Sequence, residues 1–331
     1  MSFTAALPHP LSLGIIIIGI EAGARTRKLT RPASSEAHSL TISNMPELPE
    51  VETTIRDLKK KVLKRTFLDV WCDFPKMIKS PKNFDEFKKK IKRKKILNIR
   101  RVGKNIVFDL SEDLSLLIHQ KLTGHLLYGK WQEKDGKWEA KIKGPLKDDP
   151  MNRFLHLVFQ LDNGFQIALS DLRKFAKVEL AKTEEIREEL KSLGPDPLKI
   201  SFEEFKKRLT SKKGKIKQVL MDQKVISGIG NIYSDESLFE AKINPLREAR
   251  TLKEKELRAL YNALQKVLKK AIEVQGESIS DYRLPSGEKG GFDPLRKVYR
   301  REGEKCPRCG AIIKKVKIGG RSAHFCPKCQ V

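Results

Sequence analysis

Four cysteines in the last 26 residues constrain this chain more than any other feature. Cys306-Pro-Arg-Cys309 and Cys326-Pro-Lys-Cys329 enclose 16 residues, the spacing of a four-thiolate zinc site. Each Cys-x-x-Cys spans one edge of a tetrahedron, and two such knuckles close the shell. The rival reading is two disulfides or redox pairs. Disulfides need an oxidising compartment, and a fifth cysteine, Cys72, left without a partner argues against one. Because protein would fill all four positions, a bound Zn2+ is structural rather than catalytic. Between the knuckles, Ile312 to Ile318 and Ser322 to Phe325 read as short strands joined at Gly319-Gly320-Arg321. That puts Arg321 at the exposed tip of a hairpin, where a guanidinium suits a phosphate; a merely solvated arginine is the plainer alternative.

The charge balance asks for a polyanion. Lys and Arg number 68 against 42 Asp and Glu, a net +26 over 331 residues. A surplus of that size fits nucleic acid or an anionic membrane surface. Hydrophobic residues make up 39%, enough to bury real cores and to exclude a wholly disordered chain. No apolar run reaches the ~20 residues that span a bilayer, and no amphipathic anchor accompanies the surplus, so nucleic acid is the better partner.

Residues 1–44 read differently from the rest. They hold one apolar run, Leu11 to Ile20, with no basic residue before it and no cleavage motif close after it. Removing them takes away four basic and two acidic residues and leaves +24, so the basic character belongs to the body. A second methionine, Met45, opens Met-Pro-Glu-Leu-Pro-Glu-Val-Glu-Thr. Met45 is expected to be the true start, with 1–44 a disordered extension that is removed or never made.

In the body, Val51, Ile55, Leu58 and Val62 form one helical stripe, and Glu47, Glu50 and Glu52 lie where carboxylates complement a helix dipole. From about Leu68 to Leu180 the period becomes two. Hairpins are expected at Gly103-Lys104 and, through the positive φ of Asn-Gly, at Asp162-Asn163-Gly164; His156, inside a strand, reads as structural. The pattern breaks at Leu193-Gly194-Pro195-Asp196-Pro197. Helices follow, with capping boxes expected at Ser201/Glu204 and Thr251/Glu254 and a stop at Gly276. The architecture is α+β: a β-sandwich with flanking helices at 45–180, a linker at 181–200, a helical domain at 201–295 and the zinc ribbon at 296–331.

Three stretches in this order, Pro46-Glu47-Leu48-Pro49-Glu50-Val51-Glu52, Asp222 to Glu236 (DQKVISGIGNIYSDE) and the four-cysteine ribbon, closely resemble the formamidopyrimidine-DNA glycosylases, bacterial base-excision enzymes that remove oxidised purines. The likeness runs from Pro46 to the last cysteine. It implies a β-sandwich, a helix-two-turn-helix module with a lesion-capping loop, and a zinc finger, with DNA in the cleft between the halves. It further implies a monomer, cytoplasmic and associated with the nucleoid. By position, Pro46 resembles the nucleophile, acting through its own amino nitrogen, Glu47 the general acid and Glu50 a supporting carboxylate. Lys104 matches a lysine beside the lesion; Lys217, Asn231 and Arg321 match phosphate contacts. Leu122, Arg173, Lys174 and Phe175 fall where the family fills the gap left by the extruded base. Leu122 replaces the usual Met, and Lys174 replaces a second Arg, keeping the charge but losing the bidentate fork.

The implied chemistry explains the start site. An α-amino group titrates near ~7.7–8.0 against ~10.4 for Lys, so a chain terminus is partly neutral near pH 7. A prolyl amine gives a cationic iminium, an electron sink for β- and then δ-elimination. With residues 1–44 attached, the Pro46 nitrogen is an amide without a nucleophilic lone pair. The alternatives are a non-catalytic binder of damaged DNA, and the sister branch that removes oxidised pyrimidines. Leu48 and the segment Gly276 to Phe292 resemble the purine branch.

Overall fold

The computed structural model describes residues 45–278 and 281–331. The expectation that 1–44 form a disordered, removable extension lies outside the described residues.

The first half runs α1 (Leu48–Val62), β1 (Phe67–Cys72), β2 (Ile78–Ser80), α2 (Phe84–Ile91), β3 (Ile96–Val102), β4 (Asn105–Leu110) and β5 (Leu114–His119). It continues through β6 (His125–Gly129), β7 (Trp131–Lys134), β8 (Lys137–Ala140), α3 (Pro145–Asp148), β9 (Leu155–Leu161), β10 (Gln166–Ser170), β11 (Lys177–Lys182) and α4 (Thr183–Leu190). Two sheets result, ordered β1-β9-β10-β6 and β2-β11-β5-β4-β3, and β7-β8 forms a separate hairpin. The inward residues of both sheets meet in one core, where Phe67 and Phe87 pack on Phe159 with ring centroids 5.2 and 6.4 Å apart. The stripe Val51, Ile55, Leu58 and Val62 of α1 is buried in that core, as its spacing requires.

The second half holds α5 (Phe202–Thr210), α6 (Ile216–Met221), α7 (Asn231–Glu240) and α8 (Glu254–Glu273), then the hairpin β12 (Lys314–Ile318) and β13 (Arg321–Phe325). Leu257, Leu260, Leu264 and Leu268 of α8 are buried against Phe205, Leu220 and Ile232. Both hairpins expected in the first half turn where the sequence places them. No helix among the described residues is long and apolar enough to cross a membrane.

Two expectations about elements need correction. Residues 183–190, inside the expected linker, form α4, and its Ile186 and Leu190 cover Val107, Leu117 and Ala181 on the outer face of the five-stranded sheet. The helix at 254 does not begin on a Thr251/Glu254 box. Thr251 ends a short 3-10 turn and donates to the Glu248 carbonyl, because Leu252 is drawn into the core; Glu256 then accepts the Lys253 amide at 2.8 Å. Ser201 does cap α5, accepting the Glu204 amide at 3.2 Å.

The ribbon is bolted to α7 by a buried carboxylate. Glu236 accepts the amides of Lys297, Val298 and Tyr299 at 2.9, 3.0 and 2.9 Å, three bonds that compensate its desolvation.

Candidate active site and DNA-binding cleft

The PELPE segment crosses from one half of the molecule into the other. Leu48 is packed in the helical core, and its amide donates to the Gly228 carbonyl at 3.0 Å. Glu47, 2% exposed and the N-cap of α1, also serves a second helix. Its carboxylate faces the start of α7 and accepts the amides of Gly230, Ile232 and Tyr233 at 2.7, 2.9 and 3.4 Å. A helix N-terminus offers those unpaired amides and a partial positive charge. Glycines are required here by close approach: a Cβ on Gly230 would lie 2.4 Å from the Glu47 carboxyl carbon and 2.7 Å from Lys104 Nζ, and one on Gly228 would lie 2.9 Å from Leu48. The Gly-x-Gly of this stretch is therefore the imprint of the opposite half.

Glu50 organises the next layer. Its carboxylate accepts the Glu47 amide at 2.8 Å, the Tyr233 hydroxyl at 2.5 Å and the Glu277 amide at 2.8 Å. Its backbone carbonyl accepts the hydroxyls of Thr54 and Tyr282. Burial, and then the neighbouring Glu47 charge, push the Glu50 carboxyl up to about 7. Burial also raises Glu47, opposed by the Lys104 charge and the three amides. Lys104 sits on the turn between β3 and β4, whose Gly103 has φ +59° and abuts Ser227. Burial depresses its ammonium, Glu47 and Glu50 hold it up, and Arg321 opposes them, so the ribbon arginine is in electrostatic reach of this centre.

The raised Glu50 pKa has a sign that can be tested. Between about pH 4.5 and 7 the folded protein keeps a proton that the unfolded chain releases, so stability falls as pH rises through that window. Above about 7 the full cost, about 3 kcal/mol, is present. Glu50→Gln in the 331-residue chain, which has no ammonium at Pro46, should gain on the parent in thermal midpoint at pH 8 and lose that gain near pH 4.5. A difference independent of pH would contradict this.

The residues expected to fill the gap stand on two adjoining loops. Leu122 follows Lys121, whose positive φ is stabilised by its amide donating to His119 Nδ1 at 3.0 Å. Burial and the surrounding lysines push His119 down to about 3, so the ring is neutral and able to accept. Arg173, Lys174 and Phe175 are exposed, Phe175 by 51%, with the Arg173 guanidinium 5.1 Å from the Phe175 ring and Lys174 Nζ 5.1 Å from Phe74. Buried Asp171 ties the loops together. It accepts the Thr123 hydroxyl and the Ala176 amide (2.7 Å), and Thr123 in turn accepts the Arg173 amide at 3.0 Å. Asp171, Thr123, His119 and Tyr233 escape a reading of the sequence, since each works by holding another residue of the site, Asp171, Thr123 and His119 its backbone and Tyr233 the Glu50 carboxylate.

Two of the expected phosphate contacts stand at the starts of elements. Asn231 opens α7, its side-chain oxygen having no partner, and Arg321 is exposed at the first position of β13 rather than in the turn. Lys217 departs from expectation. It is 1% exposed and ion-paired to buried Asp235, which also accepts the His324 amide of β13 at 2.9 Å. An ammonium taken out of water needs a counter-ion, and here it holds α6, α7 and the ribbon together instead of facing the cleft.

The four cysteine sulfurs all lie within 4.8 Å of one another, with Cys306–Cys329 at 4.0 Å and Cys309–Cys326 at 3.5 Å. Those spacings bracket the roughly 3.8 Å edge of a tetrahedron of thiolates around zinc and far exceed a disulfide bond. The ribbon is a structural zinc site with Cys306, Cys309, Cys326 and Cys329 as ligands.

Comparison with known proteins agrees with this geometry. Three family models match in order: the formamidopyrimidine-DNA glycosylase N-terminal domain over 45–178, its H2TH domain over 193–283, and a zinc finger found in FPG and IleRS over 303–331. The formamidopyrimidine-DNA glycosylase of Pelotomaculum thermopropionicum is 41% identical over 292 residues, which cover 86% of this chain and 99% of the relative. The chain belongs to the formamidopyrimidine-DNA glycosylase family. The Lactococcus lactis Fpg bound to DNA containing an abasic site superimposes with a TM-score of 0.74 at 33% identity, over 86% of this chain and 99% of that one. The MutM (Fpg) protein of Thermus thermophilus gives 0.72 at 34%, over 86% and 98%. This glycosylase is thus a base-excision repair enzyme of damaged duplex DNA, with the basic charge and the zinc ribbon that its sequence carries.

Proposed function

We propose that the glycosylase excises oxidised purines and then cleaves the abasic strand, with Pro46 as nucleophile once nothing precedes it. The observation that carries this reading is the Glu47 carboxylate, buried beside Pro46 on the amides of α7 and facing Lys104. The lesion must leave the stack, at a few kcal/mol, to reach this centre. Leu122 and Phe175 refill the gap, Arg173 hydrogen-bonds the orphaned base, and Lys174 contributes charge alongside. Lys104, Asn231 and Arg321 grip phosphates without reading sequence.

The neutral Pro46 nitrogen attacks the sugar carbon bearing the base, the base departs with the bonding pair, and the proton left on nitrogen passes to the departing base. Glu47, kept protonated more readily by its burial, delivers a proton to the ring oxygen as the ring opens, leaving an iminium on Pro46. Loss of the 2′ proton expels the 3′ phosphate, and a second elimination expels the 5′ phosphate. Glu50 orients Glu47 through its backbone amide. We further propose a cytoplasmic, nucleoid-associated location, the place of the substrate.

Borohydride trapping tests the reading. A chain beginning at Pro46 should become covalently attached to DNA with 8-oxoguanine opposite cytosine, and should process it faster than thymine glycol. Binding without a trapped adduct would make it a non-catalytic damage binder, and faster work on thymine glycol would move it to the pyrimidine branch.

A further inference from the structure

Tyr233 lies in the stretch Asp222 to Glu236 that marks this chain's family, and it is fully buried, so it reaches neither DNA nor lesion. As the third residue of α7 it lends its backbone amide to the Glu47 carboxylate at 3.4 Å, while its hydroxyl donates to Glu50 Oε1 at 2.5 Å. One residue of the helical half thus bonds to both carboxylates of α1. Its ring packs on buried Phe292, centroids 5.3 Å apart and planes at 57°, which fixes the direction of the hydroxyl. Glu50 passes that hold on. Its Oε1 accepts the Tyr233 hydroxyl and the Glu277 amide, and its Oε2 accepts the Glu47 amide at 2.8 Å. The Glu47 nitrogen belongs to the peptide group that joins Pro46 to Glu47. A peptide group is planar, so a bond to its N–H sets the plane from which the Pro46 ring and the Glu47 side chain both project.

Two of the three donors on Glu50 are backbone amides of the residues it holds, Glu47 and Glu277. The Tyr233 hydroxyl is the donor that comes from a separate element with its own anchors, since Asp235 and Glu236 tie α7 to the ribbon. We propose that Tyr233 is a positioning residue of the excision reaction: through Glu50 it aims the Pro46 nitrogen and the Glu47 carboxyl at the sugar, without contacting substrate. The inference rests on the roles proposed above for Pro46 and Glu47. Reacting groups must be held closely, and a misplacement of about 1 Å costs about a hundredfold in rate. Without the hydroxyl, the Glu50 carboxylate keeps two amides and turns more freely, and the Pro46–Glu47 peptide plane turns with it. Glu47, Lys104, Glu277 and Tyr282 also face Glu50, and loss of the hydroxyl leaves each of them present.

Tyr233→Phe keeps the ring on Phe292 and removes only the hydroxyl. In the chain beginning at Pro46, single-turnover processing of DNA with 8-oxoguanine, and of DNA with a ready-made abasic site, should each slow about a hundredfold, while Kd for lesion DNA changes by less than about twofold. Both substrates need the Pro46 attack. Glu50→Gln should slow the rate to a similar extent, because its carbonyl oxygen goes to the two donors on the Oε1 side and its NH2 is left facing the Glu47 amide. The double variant should be at most about threefold slower than either single one, since the same link is cut twice, whereas independent effects would multiply to ~10⁴. In the 331-residue chain, the fall of stability with pH that ends near 7 should continue to higher pH in Tyr233→Phe, because the hydroxyl bond favours ionised Glu50. Parental rates in a folded Tyr233→Phe protein, a rate loss matched by an equal loss of affinity, multiplying effects in the double variant or an unmoved stability window would overturn the inference alone. A parent that leaves no borohydride-trapped adduct would overturn the excision reading and this inference with it.

Discussion

The 331-residue chain, with Pro46 still acylated by Met45, will leave no borohydride-trapped adduct on lesion DNA and will cut it at least ~10⁴-fold more slowly than the same chain beginning at Pro46. The reason is electronic. A prolyl nitrogen in an amide has its lone pair delocalised into the carbonyl, whereas a free prolyl amine titrates near ~8 and is partly neutral at physiological pH. Among the described residues Lys104 is the amine beside the Glu47 carboxylate; the Glu47 and Glu50 charges hold its ammonium up, but burial outweighs them and lowers it. DNA affinity should change far less, because Asn231, Arg321 and the wedge loops do not depend on Pro46. The two forms can be compared directly, with intact mass fixing the first residue of each. Efficient cutting by protein whose mass still includes Met45 would refute the route.

How far the sequence speaks depends on whether a residue acts through its own chemistry or through its surroundings. The thiolate spacing of the ribbon, the α1 stripe and the two hairpin turns are local patterns, and each is found where periodicity or turn chemistry puts it. The motif Gly228-Ile229-Gly230-Asn231 is visible as a string of letters, but its cause is not. The glycines are small because Glu47 and Leu48, some 180 residues away, need the space. Glu47 likewise looks like a first-turn carboxylate on α1 until the fold supplies a second, closer helix terminus. Lys217 is the reverse case: its charge reads as available for phosphate, and only packing reveals Asp235 within the same dry layer. The α4 segment is hidden for a further reason, since a helix of eight residues with two buried apolar positions carries too little periodicity to stand out from a charged linker.

Replacing Cys326 by serine, or stripping zinc with a chelator, should melt the ribbon and weaken binding to lesion DNA at least about a hundredfold, the equivalent of one or two charge-assisted phosphate contacts. The ribbon has little else to fold around. Cys306, Cys326, Val298, Ile313 and Phe239 form its small core, and metal binding supplies most of the folding free energy of such modules. Arg321 is carried on β13, which is held outside the metal by Asp235, accepting the His324 amide, by the packing of the His324 ring on Tyr299 and by the strand pairing to β12. Losing the metal therefore removes Arg321 from the cleft and uncovers the Lys217–Asp235 pair together. Arg321→Ala separates the two effects. It should lower the dependence of log K on log salt by about one phosphate contact while leaving the thermal midpoint unchanged. Cys326→Ser should lower both, and its DNA affinity should fall below that of Arg321→Ala; equal affinity of the two variants would mean that the ribbon acts through its arginine alone and not as a clamp on α7.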